Sequence, residues 1–322
     1  MGSNIKKASY FNLNVAVTSV SFCKSPILKK EIKKFFPNTY FNETGGYLPE
    51  PELIDFLKNA DAAIVGMENI NDNILSKANR LKIISKYGVG LDNIEQDSLK
   101  RRNITLAWKS GVNKRSVAEL TLCFMLGLSR NIFYSGFKLK QAEWRKNGGS
   151  QLTGKTIGII GCGNIGSDVI QMMSPYNCKV LVNDIVSKDI FCKKHNAKQT
   201  SLDVLVMESD IVSLHIPLTE ITNKMVDEIF IKKMKPTSFL INTSRGDIVD
   251  QSALHSALKK CAIAGAALDV FEEEPPIDQK FLSLPNLMVT PHIGGNAIEA
   301  VEAMGNAAID NLVSFFKLRL YD

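Results

Sequence analysis

The chain has 322 residues, enough for two domains at roughly 100–200 residues each. Its 45% hydrophobic and 22% charged content excludes a disordered, collagen-like or disulfide-stapled chain, and no apolar run approaches the roughly 18 residues of a membrane span. The net charge of +6 is mild and scattered; it suits an anionic substrate and argues against a nucleic-acid partner.

The opening MGSNIKKASYF lacks an apolar signal core, so no secretory signal is expected. Leu13–Ser19 reads as a strand. Ser25-Pro26 then opens a helix, with the hydroxyl as cap and proline in the first turn. Leu28, Ile32, Phe35 and Phe36 share one face of it, and Lys29, Lys30, Lys33 and Lys34 lie opposite, as a solvated face. Asp61–Gly66, Leu81–Lys86 and Ile104–Ala107 read as further strands, separated by helical stretches near 51–59, 71–79 and 94–102. Such alternation predicts a parallel sheet covered on both faces.

Residues 114–134 read as one long apolar helix, and Lys146–Thr153 as a polar loop. A second strand–helix series runs from Lys155 to about residue 290, and a last helix covers Ala297–Lys317. The six cysteines form no CxxC pair; in a chain without a signal they are expected to be reduced thiols of a cytoplasmic protein, with no metal site.

The strand Thr156–Gly161 runs directly into Gly161-Cys162-Gly163-Asn164-Ile165-Gly166 and then a helix carrying Ile165, Val169, Met172 and Met173 on one face. Gly161 permits the tight turn, Gly163 lets a diphosphate approach the backbone, and Gly166 lets helix and strand pack closely. The helix start offers N–H groups to the diphosphate. Asp184 ends the next strand, Lys179–Asn183, where it can accept from ribose hydroxyls and repel a 2′-phosphate. Ile185 follows instead of a basic residue. The cofactor expected is NAD.

Three further residues stand after short strands. Arg245 lies in Asn242-Thr243-Ser244-Arg245-Gly246 after Ser238–Ile241, where open parallel sheets bind ligands. Its planar fork matches a carboxylate. Glu272, Glu273 and Glu274 precede Pro275-Pro276, after the strand Ala262–Val270. His292 lies in Thr290-Pro291-His292-Ile293-Gly294-Gly295.

With SKYGVGLDNI, GVNKRSVAELTL, GKTIGIIGCGNIG, LHIPLT, LINTSRGDIVD, AALDVFEEEPP and TPHIGG in this order, essentially the whole chain resembles the D-isomer-specific 2-hydroxyacid dehydrogenase family. The resemblance implies an α/β architecture of two doubly wound parallel-sheet domains. A Rossmann NAD-binding domain, residues 108–295, would be inserted into a flavodoxin-like substrate domain, residues 1–107 with 296–322. It implies Arg245 as the substrate-binding arginine, His292 as the acid/base, and Glu274, the glutamate just before the first proline, as the group that orients the histidine. A carboxylate on one imidazole nitrogen favours the protonated ring, and the other nitrogen then donates to the 2-oxo oxygen.

The resemblance also implies cofactor contacts. Asn164 and Ile165 would bind the pyrophosphate, and His215, Ile216 and Pro217 would wall the adenine side. Thr243, Ser244, Arg245, Asp269, His292, Gly294 and Gly295 would sit near the nicotinamide, with Asp269 as the carboxamide partner. His195 and His255 are expected at the surface. Lys86, Gly88, Val89 and Gly90 form a loop that receives the substrate carboxylate in the family, an anion nest in physical terms. Cys162 is a filler of a variable slot.

Within the family, the reading is a phosphoglycerate-dehydrogenase-like enzyme acting on a small D-2-hydroxy or 2-oxo acid. Alternatives are a glyoxylate/hydroxypyruvate reductase or a D-lactate-type dehydrogenase and, from another class, an NAD-binding corepressor-like assembly protein. Two departures bear on this. Gly66-Met67 replaces the arginine-serine pair that phosphoglycerate dehydrogenases often carry near the phosphate; Lys86 could still serve as an anion contact. Asn296-Ala297 replaces a small hydroxyl pair. Relatives dimerise through the region of Ser116–Phe133, so a homodimer is expected, with no membrane partner.

Overall fold

The structure, a computed structural model, describes residues 12–318; the segment read above for a signal lies outside them. The chain forms two compact units. One takes in the described residues up to Asn113 and those from Asn296 onward, and the other is Lys114–Gly295. The first break thus falls after Asn113, at the start of a helix, and not after Ala107.

The first unit holds a five-stranded sheet of β1 (Val15–Val17), β2 (Thr39–Phe41), β3 (Ala62–Val65), β4 (Ile83–Lys86) and β5 (Thr105–Ala107). The order is β2-β1-β3-β4-β5 and every pairing is parallel, the flavodoxin-like arrangement. β1, β3 and β4 are buried throughout, as strands covered on both faces must be. The last helix, Ile298–Leu318, belongs here. The Ser85 hydroxyl in β4 donates to its Ala308 carbonyl, 3.0 Å. At Gly305 an added Cβ would lie 2.3 Å from the Leu28 side chain, so only glycine lets the helix approach Pro26–Lys33 this closely. Phe36, expected on that earlier helix, lies beyond its end yet is fully buried.

The second unit holds seven parallel strands: β6 (Thr156–Ile160), β7 (Lys179–Asn183), β8 (Ala197–Gln199), β9 (Ile211–Leu214), β10 (Phe239–Asn242), β11 (Gly265–Leu268) and β12 (Leu287–Val289). Their order is β12-β11-β10-β9-β6-β7-β8, the doubly wound Rossmann order. The topological switch point lies between β6 and β9, where such sheets bind ligands at their carboxyl ends.

One expectation is corrected. Residues 114–134 do not form a single helix. Lys114–Ser129 and Ile132–Lys140 are separate, and Asn131 between them is left-handed, with φ 53°. Asparagine tolerates this conformation better than most residues, and the apolar run concealed the break. Among the described residues, no helix is long and apolar enough to cross a membrane.

Candidate active site

The glycine turn sits at the switch point, between the end of β6 and the helix Asn164–Met172. Gly161 has φ +91°, and a Cβ there would lie 2.5 Å from the His215 carbonyl oxygen. At Gly166 a Cβ would lie 2.1 Å from the Gly161 carbonyl oxygen. At Gly163 it would meet nothing, so the space above the helix start is open. No side chain caps this helix; the backbone donors of its first turn face a cradle suited to a diphosphate. The Asp184 carboxylate accepts from the Cys162 N–H at 2.8 Å and the Val186 N–H at 3.1 Å. It thereby braces the turn from the end of β7. Burial pushes the Cys162 thiol up to about 11, which keeps it protonated and inert.

His215 follows β9. Its Nε2 lies 2.9 Å from the Ser213 hydroxyl, Nδ1 is enclosed without a hydrogen-bond partner, and burial pushes its pKa down to about 3. A ring held neutral this way carries no charge near neutral pH and is not a second acid. His195 and His255, expected at the surface, are half-buried: His195 stacks on Phe191 at 4.4 Å, and His255 lies 3.9 Å from Asp278.

At the end of β10, the fully buried Asn242 shapes the arginine-bearing turn. Its amide nitrogen donates to the Arg245 carbonyl at 2.7 Å, while its oxygen accepts from the Ser244 N–H and hydroxyl at 3.0 and 2.8 Å. At Gly246 a Cβ would fall 1.9 Å from the Phe271 backbone. The turn therefore lies flat against the chain leading to Glu274.

Glu274 is held at both oxygens. Oε1 accepts from the Phe271 N–H at 3.1 Å, and Oε2 lies 2.7 Å from His292 Nδ1. Burial alone would raise its pKa. The His292 hydrogen bond and charge, the Phe271 N–H and the nearby Arg245 charge outweigh burial, and the carboxyl sits below its ordinary value. Glu272 faces elsewhere, accepting from the Gln251 N–H at 3.1 Å.

His292 has φ 52°, a conformation that costs a non-glycine residue of order 1–3 kcal/mol. Asp269 holds it there. The Asp269 carbonyl accepts from the His292 N–H at 2.8 Å. Its buried carboxylate accepts from the Thr290 hydroxyl, the Ile293 N–H and the Gly294 N–H, at 2.6, 2.8 and 2.8 Å. Burial raises the Asp269 pKa in spite of these donors. This anchoring is a part that sequence reasoning missed in Asp269.

The helix Lys114–Ser129 supplies further unanticipated support. Ser116 donates to the Gly294 carbonyl, and Arg115 pairs with the buried Asp168 of the dinucleotide helix at 3.0 Å. Thr121 Oγ1 donates to the Val117 carbonyl at 2.8 Å and lies 3.0 Å from Thr243 Oγ1. A hydroxyl has one proton, so Thr243 is the donor in that pair.

In the first unit, Lys86 ends β4. It is buried, and its ammonium donates to the Gly66 carbonyl and, at 2.7 Å, to Asn93 Oδ1. Lys86, expected as a substrate-anion contact, thus also braces the Gly66 turn. Gly88, Val89 and Gly90 remain partly exposed, with Gly88 at φ +105°.

A Rossmann sheet with an open diphosphate cradle, an arginine turn and a carboxylate–imidazole pair at the carboxyl ends of its strands defines a nicotinamide-dependent dehydrogenase. Residues 122–294 match the family "D-isomer specific 2-hydroxyacid dehydrogenase, NAD binding domain", and the chain belongs to that family. It is 36% identical to a glyoxylate reductase of Pyrococcus furiosus over 278 residues, 83% of each chain. Identity to a hydroxypyruvate reductase of Thermotoga maritima is 33% over 293 residues, 89% of this chain and 95% of that one. Among solved structures it resembles a D-lactate dehydrogenase of Aquifex aeolicus complexed with NAD and lactic acid, with TM-score 0.83, 30% identity and coverage of 96% and 97%. The protein is thus an NAD-dependent D-2-hydroxyacid dehydrogenase.

Proposed function

We propose that this dehydrogenase reduces a small, unphosphorylated 2-oxo acid of the glyoxylate or hydroxypyruvate kind. The observation that carries this choice over a phosphoglycerate-type substrate is the placement of Lys86. With Gly66-Met67 in place of a basic pair, Lys86 was the cation left for a phosphate, and its ammonium is buried on Gly66 and Asn93. The names of the relatives with 36% and 33% identity support the same choice.

NADH, when bound, supplies the hydride that reaches the carbonyl carbon. The Arg245 guanidinium holds the substrate carboxylate and polarises the carbonyl. His292, donating from Nδ1 to Glu274, presents Nε2 as the proton source for the oxygen that becomes the hydroxyl. In the oxidative direction the neutral ring takes that proton back. Glu274, ionised, favours the charged ring before transfer and fixes its orientation.

The test is a comparison of kcat/KM for hydroxypyruvate and 3-phosphohydroxypyruvate. The unphosphorylated acid is expected to be favoured by about tenfold or more, the worth of one unpaired anionic group at roughly 1.4 kcal/mol. A preference for the phosphorylated acid would restore the phosphoglycerate reading. NADH binding without turnover of any 2-oxo acid would favour an assembly role.

The same reading includes a homodimer. The helix Ile132–Lys140 buries none of its residues and exposes Ile132, Phe133, Phe137 and Leu139. Phe133 and Tyr134 border a 770 Å³ cavity that also includes Phe239, Leu287 and Met288, near the amino ends of β10 and β12. Contiguous apolar surface of this kind marks an interface. Light scattering at micromolar concentration is expected to give twice the 35.6 kDa chain mass; a monomer would refute it.

A further inference from the structure

The turn after β7 carries a cation that adjacent-residue reasoning does not find. Lys188 Nζ lies 3.8 Å from Asp184 Oδ2, with the side chains only 24% and 12% exposed. That is too long for a hydrogen bond but well within reach of the charge, and partial burial limits screening by salt. The turn is stapled from β8. The Lys188 N–H donates to Gln199 Oε1 at 2.6 Å, while Gln199 Nε2 donates to the Val186 and Asp184 carbonyls at 3.0 and 3.3 Å. The other carboxylate in the turn, Asp189, accepts from the Ser187 hydroxyl at 2.8 Å. A carboxylate offers about four acceptor sites, and Asp184 has committed two to Cys162 and Val186. Two remain for ribose hydroxyls.

We propose that Lys188 determines selectivity at the 2′ position of the cofactor: its ammonium offsets the Asp184 charge, so that the site accepts a dinucleotide bearing a 2′-phosphate as well as NAD. This rests on the dehydrogenase reading and goes beyond it. Asp184 alone repels a 2′-phosphate. A lysine beside it is a flexible point charge with three donors; it pairs with the carboxylate when the ribose carries hydroxyls and turns to the phosphate when it does not. The basic residue stands four positions after the aspartate, where a reading of Ile185 alone finds only an apolar side chain.

The test is equilibrium binding of NADH and NADPH, followed by nucleotide fluorescence, to the wild type, Lys188→Met, Lys188→Arg and Asp184→Ala. The wild type is expected to bind both. Lys188→Met should raise the ratio of the NADPH to the NADH dissociation constant by about tenfold, the scale of one partly screened charge pair. Lys188→Arg should keep the ratio within about threefold, and Asp184→Ala should lower it. Far-ultraviolet circular dichroism checks that each variant is folded. A folded Lys188→Met with an unchanged ratio would overturn the proposal, as would a wild type that binds NADH but not NADPH. Binding of neither nucleotide would overturn it together with the dehydrogenase reading.

Discussion

His292→Ala is expected to lower the rate of 2-oxo acid reduction by roughly 10²–10⁴-fold, the usual worth of a positioned acid/base. That corresponds to about 3–5 kcal/mol of transition-state stabilisation. The loss should fall on kcat, because the proton moves only as the alkoxide forms, and NADH affinity should change little, because the diphosphate cradle lies on β6 and the Asn164–Met172 helix. The position also demands a left-handed backbone, which alanine adopts no more readily than histidine. His292→Asn, asparagine being more at ease there, separates lost chemistry from loop strain. Both variants should be equally impaired if the imidazole is the acid; recovery in His292→Asn would assign the effect to the loop. Single-turnover mixing of enzyme, NADH and substrate measures this directly.

Glu274→Gln should change the pH profile in a defined direction. In the wild type, Oε2 lies 2.7 Å from Nδ1 of His292, and the carboxyl sits below its ordinary value. It stays ionised across the neutral range and loses its charge only as the pH falls through that lowered value. Reduction needs the charged ring, which the carboxylate favours. Glutamine can still accept from Nδ1–H but carries no charge, so it orients the ring without favouring its charged form. Reduction at neutral pH is expected to slow by about tenfold, since a charge-assisted hydrogen bond gives way to a neutral one at a partly exposed pair. Any acid limb due to Glu274 should vanish. The kcat–pH series decides it. An unmoved profile in Glu274→Gln with a moved one in Glu273→Gln would place the orienting carboxylate one residue earlier.

Sequence made the chemistry legible where function forces residue type within a short segment. GCGNIG after an apolar strand, Asp184 at the next strand end, and the NTSRG and TPHIGG turns all combine a backbone demand with a chemical one. The acidic run was harder, since three adjacent glutamates share one composition. Position before the proline chose Glu274, and the fold places that side chain on His292 while Glu272 faces Gln251. What stayed illegible depends on partners far away in the chain. In sequence Asn242 reads only as the residue after the strand, yet it ends β10 and its side chain shapes the arginine turn. In sequence Asp269 reads as a cofactor contact; that both its oxygens also hold the histidine loop leaves no mark there. In sequence Lys86 reads as an anion contact; its burial and its bonds to the Gly66 and Asn93 oxygens leave no mark there. The break at Asn131 was lost in a continuous apolar pattern, because left-handed backbone leaves no mark on hydrophobic periodicity. Strands of three residues such as β2 and β8 are too short for alternation to register.

The central claim, NADH-dependent reduction of a small 2-oxo acid to its D-hydroxy acid, is tested most directly by the product of the hydroxypyruvate assay. Wild-type enzyme with NADH and hydroxypyruvate is incubated to completion, and the glycerate formed is resolved on a chiral column. The account predicts one D-glycerate for each NADH oxidised. Formation of L-glycerate, or of no glycerate with NADH intact, would contradict it.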